Sequence, residues 1–367
     1  MTVMKAITSN SYGTYQNMQL AVDMPKPVTA PKNKILVKTE AVALAPGDVR
    51  VLSGKCKALN GPPSFPYIAG GDLCGIVTSM GEGVDPSVTG YNVGDRVAAR
   101  FTEGPRGALG EYAIIGTGMT DKVPDNVSSE EAAALASSAT IALAFSKRIS
   151  AKERVLVVGA GGGVGSHLCQ FLKLKGVEYM AGVGRDPERL KQGPIYCDDA
   201  MDYTQKDAYD FQEWNNVNVH EKFDTIVDLA GGGWLRLREI AKDGGKEIPV
   251  KSAKDGGRYI AITPDEPWYR LDGVWSALKV FLFGPLSRAL HSRSVARSQL
   301  PAYTFAVEMD ADVEIMRETL KLSSEGRLKA CVDDRGPFDF TTEGAQKAFE
   351  IQANRQGRGK IVIRVAP

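Results

Sequence analysis

The stretch Val155-Leu-Val-Val-Gly159-Ala-Gly161-Gly162-Gly163-Val164-Gly165-Ser-His-Leu runs from a continuous apolar segment through a glycine-rich turn into a helical pattern. Four consecutive apolar residues read as a strand buried on both faces of a parallel sheet. Glycines let a backbone approach a phosphate closely, and the N–H groups and positive dipole end of a following helix face its charge. The spacing is not the strict G-x-G-x-x-G, because Val164 stands where the third glycine belongs. Gly159, Gly162 and Gly165 satisfy G-x-x-G-x-x-G instead. A glycine pattern alone is weak evidence, so its surroundings decide. Val164, Leu168, Phe171, Leu172 and Lys175 follow helical spacing, Gly176 ends the helix, and Val177 to Val183 form a second apolar strand. That βαβ unit predicts a dinucleotide site, with Gly159, Gly161, Gly162, Gly163, Val164 and Gly165 around the pyrophosphate.

The end of the second strand selects between dinucleotides. An NAD site usually carries an acid there for the ribose 2′-hydroxyl. Here the strand runs into Gly184-Arg185-Asp186-Pro187. A guanidinium at Arg185 suits the 2′-phosphate of NADPH, since it can bond the phosphate in bidentate fashion. Asp186 is the rival: a carboxylate turned into the site would favour NADH.

Outward from this unit, the chain continues with strand patterns at about 223–228 and 258–262, alternating with helices. That alternation predicts an α/β fold with a doubly wound parallel sheet. The first 130 residues are rich in glycine, proline and short alternating segments, including Ile35 to Val42, Gly75-Ile-Val, Asp95 to Ala98 and Glu111 to Ile115. They predict a β-rich, barrel-like domain. Ser128 and Glu131 have capping-box spacing ahead of an alanine-rich helix. Strand-like pieces from about 328 onward predict that the chain returns to the first domain. The expected division is therefore 1–130, completed by about 328–367, and 131–327. Lys242 through Gly257, with two K-D-G-G runs, reads as a polar surface excursion. Val274 to Leu290 is apolar with basic flanks, and fits either a core helix or lid, or an amphipathic element at a membrane surface.

Composition bounds the rest. The chain has 367 residues, is 43% hydrophobic and 24% charged, and carries a net charge of +1. That argues against nucleic acid as a partner. No N-terminal h-region and no apolar run long enough for a membrane span are present, and five scattered cysteines suit free thiols, so a cytoplasmic location is expected. No two cysteines are closer than 18 residues and only His167, His220 and His291 are available, so no metal site is expected.

Further motifs carry a resemblance. Gly70-Gly71-Asp72-Leu-Cys-Gly75-Ile-Val77, Met80-Gly81-Glu-Gly-Val84, Val93-Gly94-Asp95-Arg96-Val97, Gly110-Glu111-Tyr112, the glycine turn, Asp224 to Gly231 and Gly359-Lys360-Ile-Val resemble, in matching order, the medium-chain dehydrogenase/reductases. The resemblance spans essentially the whole chain. It implies a GroES-like β-barrel domain plus a Rossmann domain, and a homo-oligomer such as a dimer. Within the superfamily the chain is similar to the zinc-free quinone oxidoreductase and enoyl or alkenal reductase branch. Ala45 stands where zinc-dependent members have a cysteine, Gly71-Asp72 where they have His-Glu, and their four-cysteine lobe is absent. The branch's Asn-Pro-x-Asp reads Ala45-Pro46-Gly47-Asp48 here, and its tyrosine two residues later is Arg50.

By position, the resemblance implies Arg185 and Tyr203 at the 2′-phosphate, Thr140 near the nicotinamide, and Asp48, Ala230, Gly231 and Lys360 also at the cofactor. It implies hydride transfer from NADPH to a small lipophilic acceptor, either a quinone or the C=C bond of an α,β-unsaturated carbonyl. Arg50 and Tyr67 are the candidate side-chain donors to developing oxyanion charge. A trans-acting enoyl reductase of a biosynthetic pathway and a low-turnover NADPH-binding redox-sensing or interaction protein stay open as alternatives.

Overall fold

The computed structural model describes residues 2–61, 64–102, 107–243, 245–294, 299–306 and 311–366. The chain divides into two compact units, residues 1–141 with 311–367, and residues 142–310.

The first unit is built on antiparallel strands. β1 (Val3–Ser9) lies between β2 (Gln19–Pro25) and β4 (Tyr67–Ile68). A second sheet contains β3 (Lys34–Leu44), β5 (Asp72–Met80), β6 (Arg96–Arg100), β7 (Tyr112–Gly116) and β8 (Thr120–Lys122). The end of the chain adds β15 (Phe338–Asp339) and β16 (Ile361–Arg364), giving the order β15-β16-β3-β5-β6-β8 with β7 also paired to β3. Ile35, Val37, Leu73, Val97, Ile361 and Ile363 alternate into one apolar core, with Phe349 of the helix Thr342–Ala353 closing it. The helix Val313–Ser324 belongs to this unit, and Arg317 ion-pairs with Asp121 on β8 at 2.9 Å.

The second unit is a parallel sheet in the order β11-β10-β9-β12-β13-β14. Its strands are β9 (Arg154–Val158), β10 (Tyr179–Gly184), β11 (Asp199–Asp202), β12 (Thr225–Asp228), β13 (Arg258–Ala261) and β14 (Ala302–Phe305). Every pairing is parallel. The order reverses between β9 and β12, and ligands of such sheets bind outside the carboxyl ends of the strands at that reversal. β11 and β14 extend beyond what the apolar runs announce. β11 is only Asp199-Ala-Met-Asp, and two inward side chains are too few for a periodic signal.

Two expectations change. The excursion around 242–257 is not merely a surface loop, since Ile248 and Val250 are buried in the second core and Val250 bridges to Phe223. Val274 to Leu290 is helical but is not a core helix, because Trp275, Leu282, Phe283, Leu286 and Leu290 are exposed. Ser128 and Glu131 do form the reciprocal cap, the carboxylate accepting from the Ser128 N–H at 3.0 Å and the Ser128 hydroxyl from the Glu131 N–H at 3.3 Å. Among the described residues, no helix is long and apolar enough to cross a membrane.

Candidate active site

The glycine turn begins where β9 stops. Gly159 has φ +86°, a left-handed conformation that side chains disfavour. Its N–H and that of Ala160 both donate to the Val183 carbonyl on β10, at 3.0 and 3.1 Å, which pins the turn to the neighbouring strand. Gly162 then serves as N-cap of the helix Gly163–Lys175 and offers no side-chain acceptor. The helix's first N–H groups are thus left for an anion. Gly165 has a steric reason: a Cβ there would lie 2.2 Å from the Gly159 carbonyl oxygen and 2.7 Å from the Ala160 Cα. It carries the close helix–turn packing, and Val164 is tolerated where a strict fingerprint has glycine. His167 is buried on this helix, with Nδ1 2.6 Å from the Gly163 carbonyl.

At the end of β10 the sequence-nominated pair meets. Arg185 Nε donates to the Tyr203 hydroxyl at 2.6 Å, and its guanidinium carbon lies 5.8 Å from that ring's centroid. Both residues are exposed. Tyr203 follows Asp202, whose carboxylate accepts from the Thr204 N–H at 2.8 Å and so turns the chain back behind β11. Asp186 caps the helix Pro187–Lys191, accepting from the Arg189 N–H at 3.2 Å. Its carboxylate is thereby engaged with a helix N-terminus, which a negative charge stabilises. That short helix also brings forward a residue the sequence reading missed. Arg189 Nη1 stands 3.8 Å from where a Gly161 Cβ would be, so a second cation flanks the turn. The available signal was Pro187 at the first helical position, which fixes the direction of the helix.

The loop after β12 is organised from within. Asp228 is buried, and its carboxylate accepts from the N–H groups of Ala230 and Gly231, each at 2.8 Å, and of Gly233 at 3.2 Å, as well as from the Tyr259 hydroxyl. Burial pushes this carboxyl above its ordinary value, against the pull of those hydrogen bonds. Ala230 and Gly231, expected at the cofactor, therefore direct their N–H groups at Asp228.

In the first unit, Asp48 is buried at the third position of the helix Pro46–Leu52 and accepts from the Ala45 N–H at 2.7 Å. It caps this helix, and Arg50 projects half-buried from the same helix. Tyr67 is buried on β4. Thr140 is buried in the helix Ser129–Ser146 and donates to the Ala136 carbonyl at 3.0 Å, which leaves its oxygen as an acceptor.

Lys360, expected at the cofactor, is ion-paired with a buried carboxylate. Only 5% exposed, its ammonium lies 2.8 Å from Asp72 Oδ2 and 3.3 Å from Ser137 Oγ. Ser137 donates to the same carboxylate oxygen at 2.5 Å. Burial works to raise the Asp72 carboxyl, but the charges of Lys360 and Arg100 and the hydrogen bonds from Lys360 and Ser137 hold it below its ordinary value. A buried carboxylate demands such a partner, and Lys360 supplies it.

Comparison with known proteins agrees with this architecture. Residues 31–125 match the alcohol dehydrogenase GroES-like domain, and residues 196–363 match the zinc-binding dehydrogenase family. The NADPH-dependent alkenal/one oxidoreductase of Arabidopsis thaliana is 26% identical, over 99% of this chain and 80% of its own length. The quinone oxidoreductase of Mus musculus is 30% identical, over 71% of this chain and 73% of its own. The solved Escherichia coli quinone oxidoreductase, a complex with NADPH, superposes with a TM-score of 0.71 at 20% identity, over 98% of this chain and 100% of that one. The chain belongs to the medium-chain dehydrogenase/reductase superfamily, in its quinone oxidoreductase and enoyl or alkenal reductase branch.

Proposed function

We propose that this chain, an NADPH-dependent oxidoreductase, reduces a quinone or the C=C bond of an α,β-unsaturated carbonyl, and does so without zinc. The observation that carries the cofactor half is the corner at the end of β10. Arg185 is exposed there on Tyr203, while the rival carboxylate of Asp186 is engaged in a helix cap. The acceptor half rests on the relatives, one named for alkenals and enones and another for quinones.

The family description of residues 196–363 names zinc, a metal held by Cys, His or carboxylate side chains gathered around it. The positions that resemble zinc ligands hold Ala45, Gly71 and Asp72, and the Asp72 charge is balanced by Lys360. Among the described residues no three His, Cys, Asp or Glu side chains gather to hold a metal. This donor set does not fit zinc.

When bound, NADPH supplies the hydride. The chain's own residues hold and orient it. The helix N-terminus at Gly162–Gly163 takes the pyrophosphate, Arg185 with Tyr203 takes the 2′-phosphate, and Arg189 adds charge beside the turn. Negative charge grows on the acceptor's carbonyl oxygen, and donors placed for it lower the barrier. Arg50 and Tyr67 are our candidates for that donation, with solvent delivering the proton.

The test is consumption of NADPH and NADH against quinones, 2-alkenals, cyclic enones and an enoyl thioester. Turnover with NADPH on one of these acceptor classes is expected. NADPH bound tightly but oxidised by none of them would overturn the enzymatic reading in favour of a binding protein. Intact turnover in a variant carrying both Arg50→Ala and Tyr67→Ala would remove side-chain donation.

A further inference from the structure

The helical segment from Val274 to Ser294 turns large apolar side chains to its outer side, unlike an ordinary surface helix. It comprises Val274–Leu278, a π-helical turn Lys279–Phe283, and Gly284–Ser294. Its inner side holds one ion pair, Arg288 with Asp265. Phe281 packs edge-on to Tyr269 with centroids 5.2 Å apart, and Ala289 sits on the second core. Its outer side is apolar. Trp275 is 79% exposed, and Leu282, Phe283, Leu286 and Leu290 are each about half exposed. These positions recur at helical spacing along one stripe, and exposed Lys279 falls within it. Surface helices ordinarily face polar residues outward, and a contiguous exposed apolar stripe marks a binding surface.

The charge of the region selects the partner. From Gly273 to Ala306 the sequence holds Lys279, Arg293 and Arg297, besides the Arg288 that Asp265 neutralises, and after Asp272 no aspartate or glutamate. The whole chain is balanced, with 45 basic and 44 acidic residues, so this one-sidedness is local. A second copy is a poor occupant: a two-fold contact sets this positively charged segment against itself, and the segment holds no acid to answer it. We propose that this stripe docks on an anionic lipid bilayer. The helix would lie in the interface plane, with Trp275 and the leucines below the headgroups and Lys279 at their phosphates. Such docking is independent of which acceptor the enzyme reduces.

The experiment is flotation of the full chain with vesicles of phosphatidylcholine alone and of phosphatidylcholine mixed with phosphatidylserine, at low and high salt. A double variant, Trp275→Ser with Leu286→Ser, and the single variant Lys279→Glu are run beside it, with thermal unfolding and NADPH oxidation as checks of folding. Expected are binding to the mixed vesicles that weakens with salt, a drop of about tenfold for Lys279→Glu, and loss of binding in the double variant. Absence of binding to either vesicle, equal binding to both, or binding unchanged in a folded double variant would overturn the proposal. So would a wild-type dimer, seen by light scattering, that the double variant splits into monomers while vesicles stay unbound.

Discussion

Arg185 and Lys360 were both expected to hold the dinucleotide, and the fold puts them in opposite environments. Arg185 follows the last residue of a parallel strand, exposed, with a phenol beside it. Lys360 directly precedes β16, buried, with its ammonium on a buried carboxylate. The difference lies in topology. Carboxyl ends of parallel strands open to ligands, so a cation placed there meets solvent or a phosphate. A cation flanking a buried antiparallel strand meets whatever acid the sheet has also buried. A motif gives residue type and order, but the partner that claims a charge comes from a strand far away in sequence.

That contrast can be broken in several ways. Lys360→Met should be the most damaging change, costing about 3–5 kcal/mol because the buried Asp72 carboxylate loses its ion-pair partner. Adding Asp72→Asn should restore much of the loss, and chemical unfolding of the two variants checks both statements. If Lys360→Met instead weakened NADPH binding at unchanged stability, the two cations would be alike after all.

Gly165→Ala comes next, at about 1–3 kcal/mol, since its methyl would press on the Gly159 carbonyl. Gly161→Ala makes only ordinary contacts within the protein and should leave thermal stability nearly unchanged, although it should weaken dinucleotide binding by titration.

Acid should act in opposite senses on Asp72 and Asp228. The Asp72 carboxyl is held below its ordinary value of 3.8, so its contribution to stability is present above that pH. It is lost as pH falls through the lower folded value. The Asp228 carboxyl is raised, so the folded state binds the extra proton and this group's effect has the opposite sign, with stability falling as pH rises from 3.8 towards the folded value. Unfolding of Asp72→Asn and Asp228→Asn against pH should show the two slopes removed in opposite directions.

Tyr203→Phe should be mildest. It removes the acceptor for Arg185 Nε, about 0.5–1.5 kcal/mol, and should weaken NADPH binding severalfold while NADH binding stays the same.

What the sequence made legible follows the same division. The apolar run of β9, the glycine turn, the capping box at Ser128 and Glu131, and Arg185 at the end of the second strand are local, while Tyr203 came only from the family resemblance. They could be read without coordinates. The roles of Lys360, Ala230 and Gly231 could not, because Asp72 and Asp228 claim them and no spacing rule connects 72 with 360. Arg189 escaped notice because the direction of a five-residue helix decides where it points. The apolar run 274–290 was visible in the sequence, but which of its faces turns outward depends on Asp265 claiming Arg288.

Cofactor choice turns on the corner at Arg185, and the most direct measurement is kcat/KM for NADPH and NADH in the wild type and in Arg185→Glu. A clear NADPH preference is predicted, with the variant losing between about tenfold and a hundredfold on NADPH and little on NADH, as expected for charge-assisted hydrogen bonds to one phosphate. Equal use of the two cofactors, or a preference that survives the substitution, would contradict it.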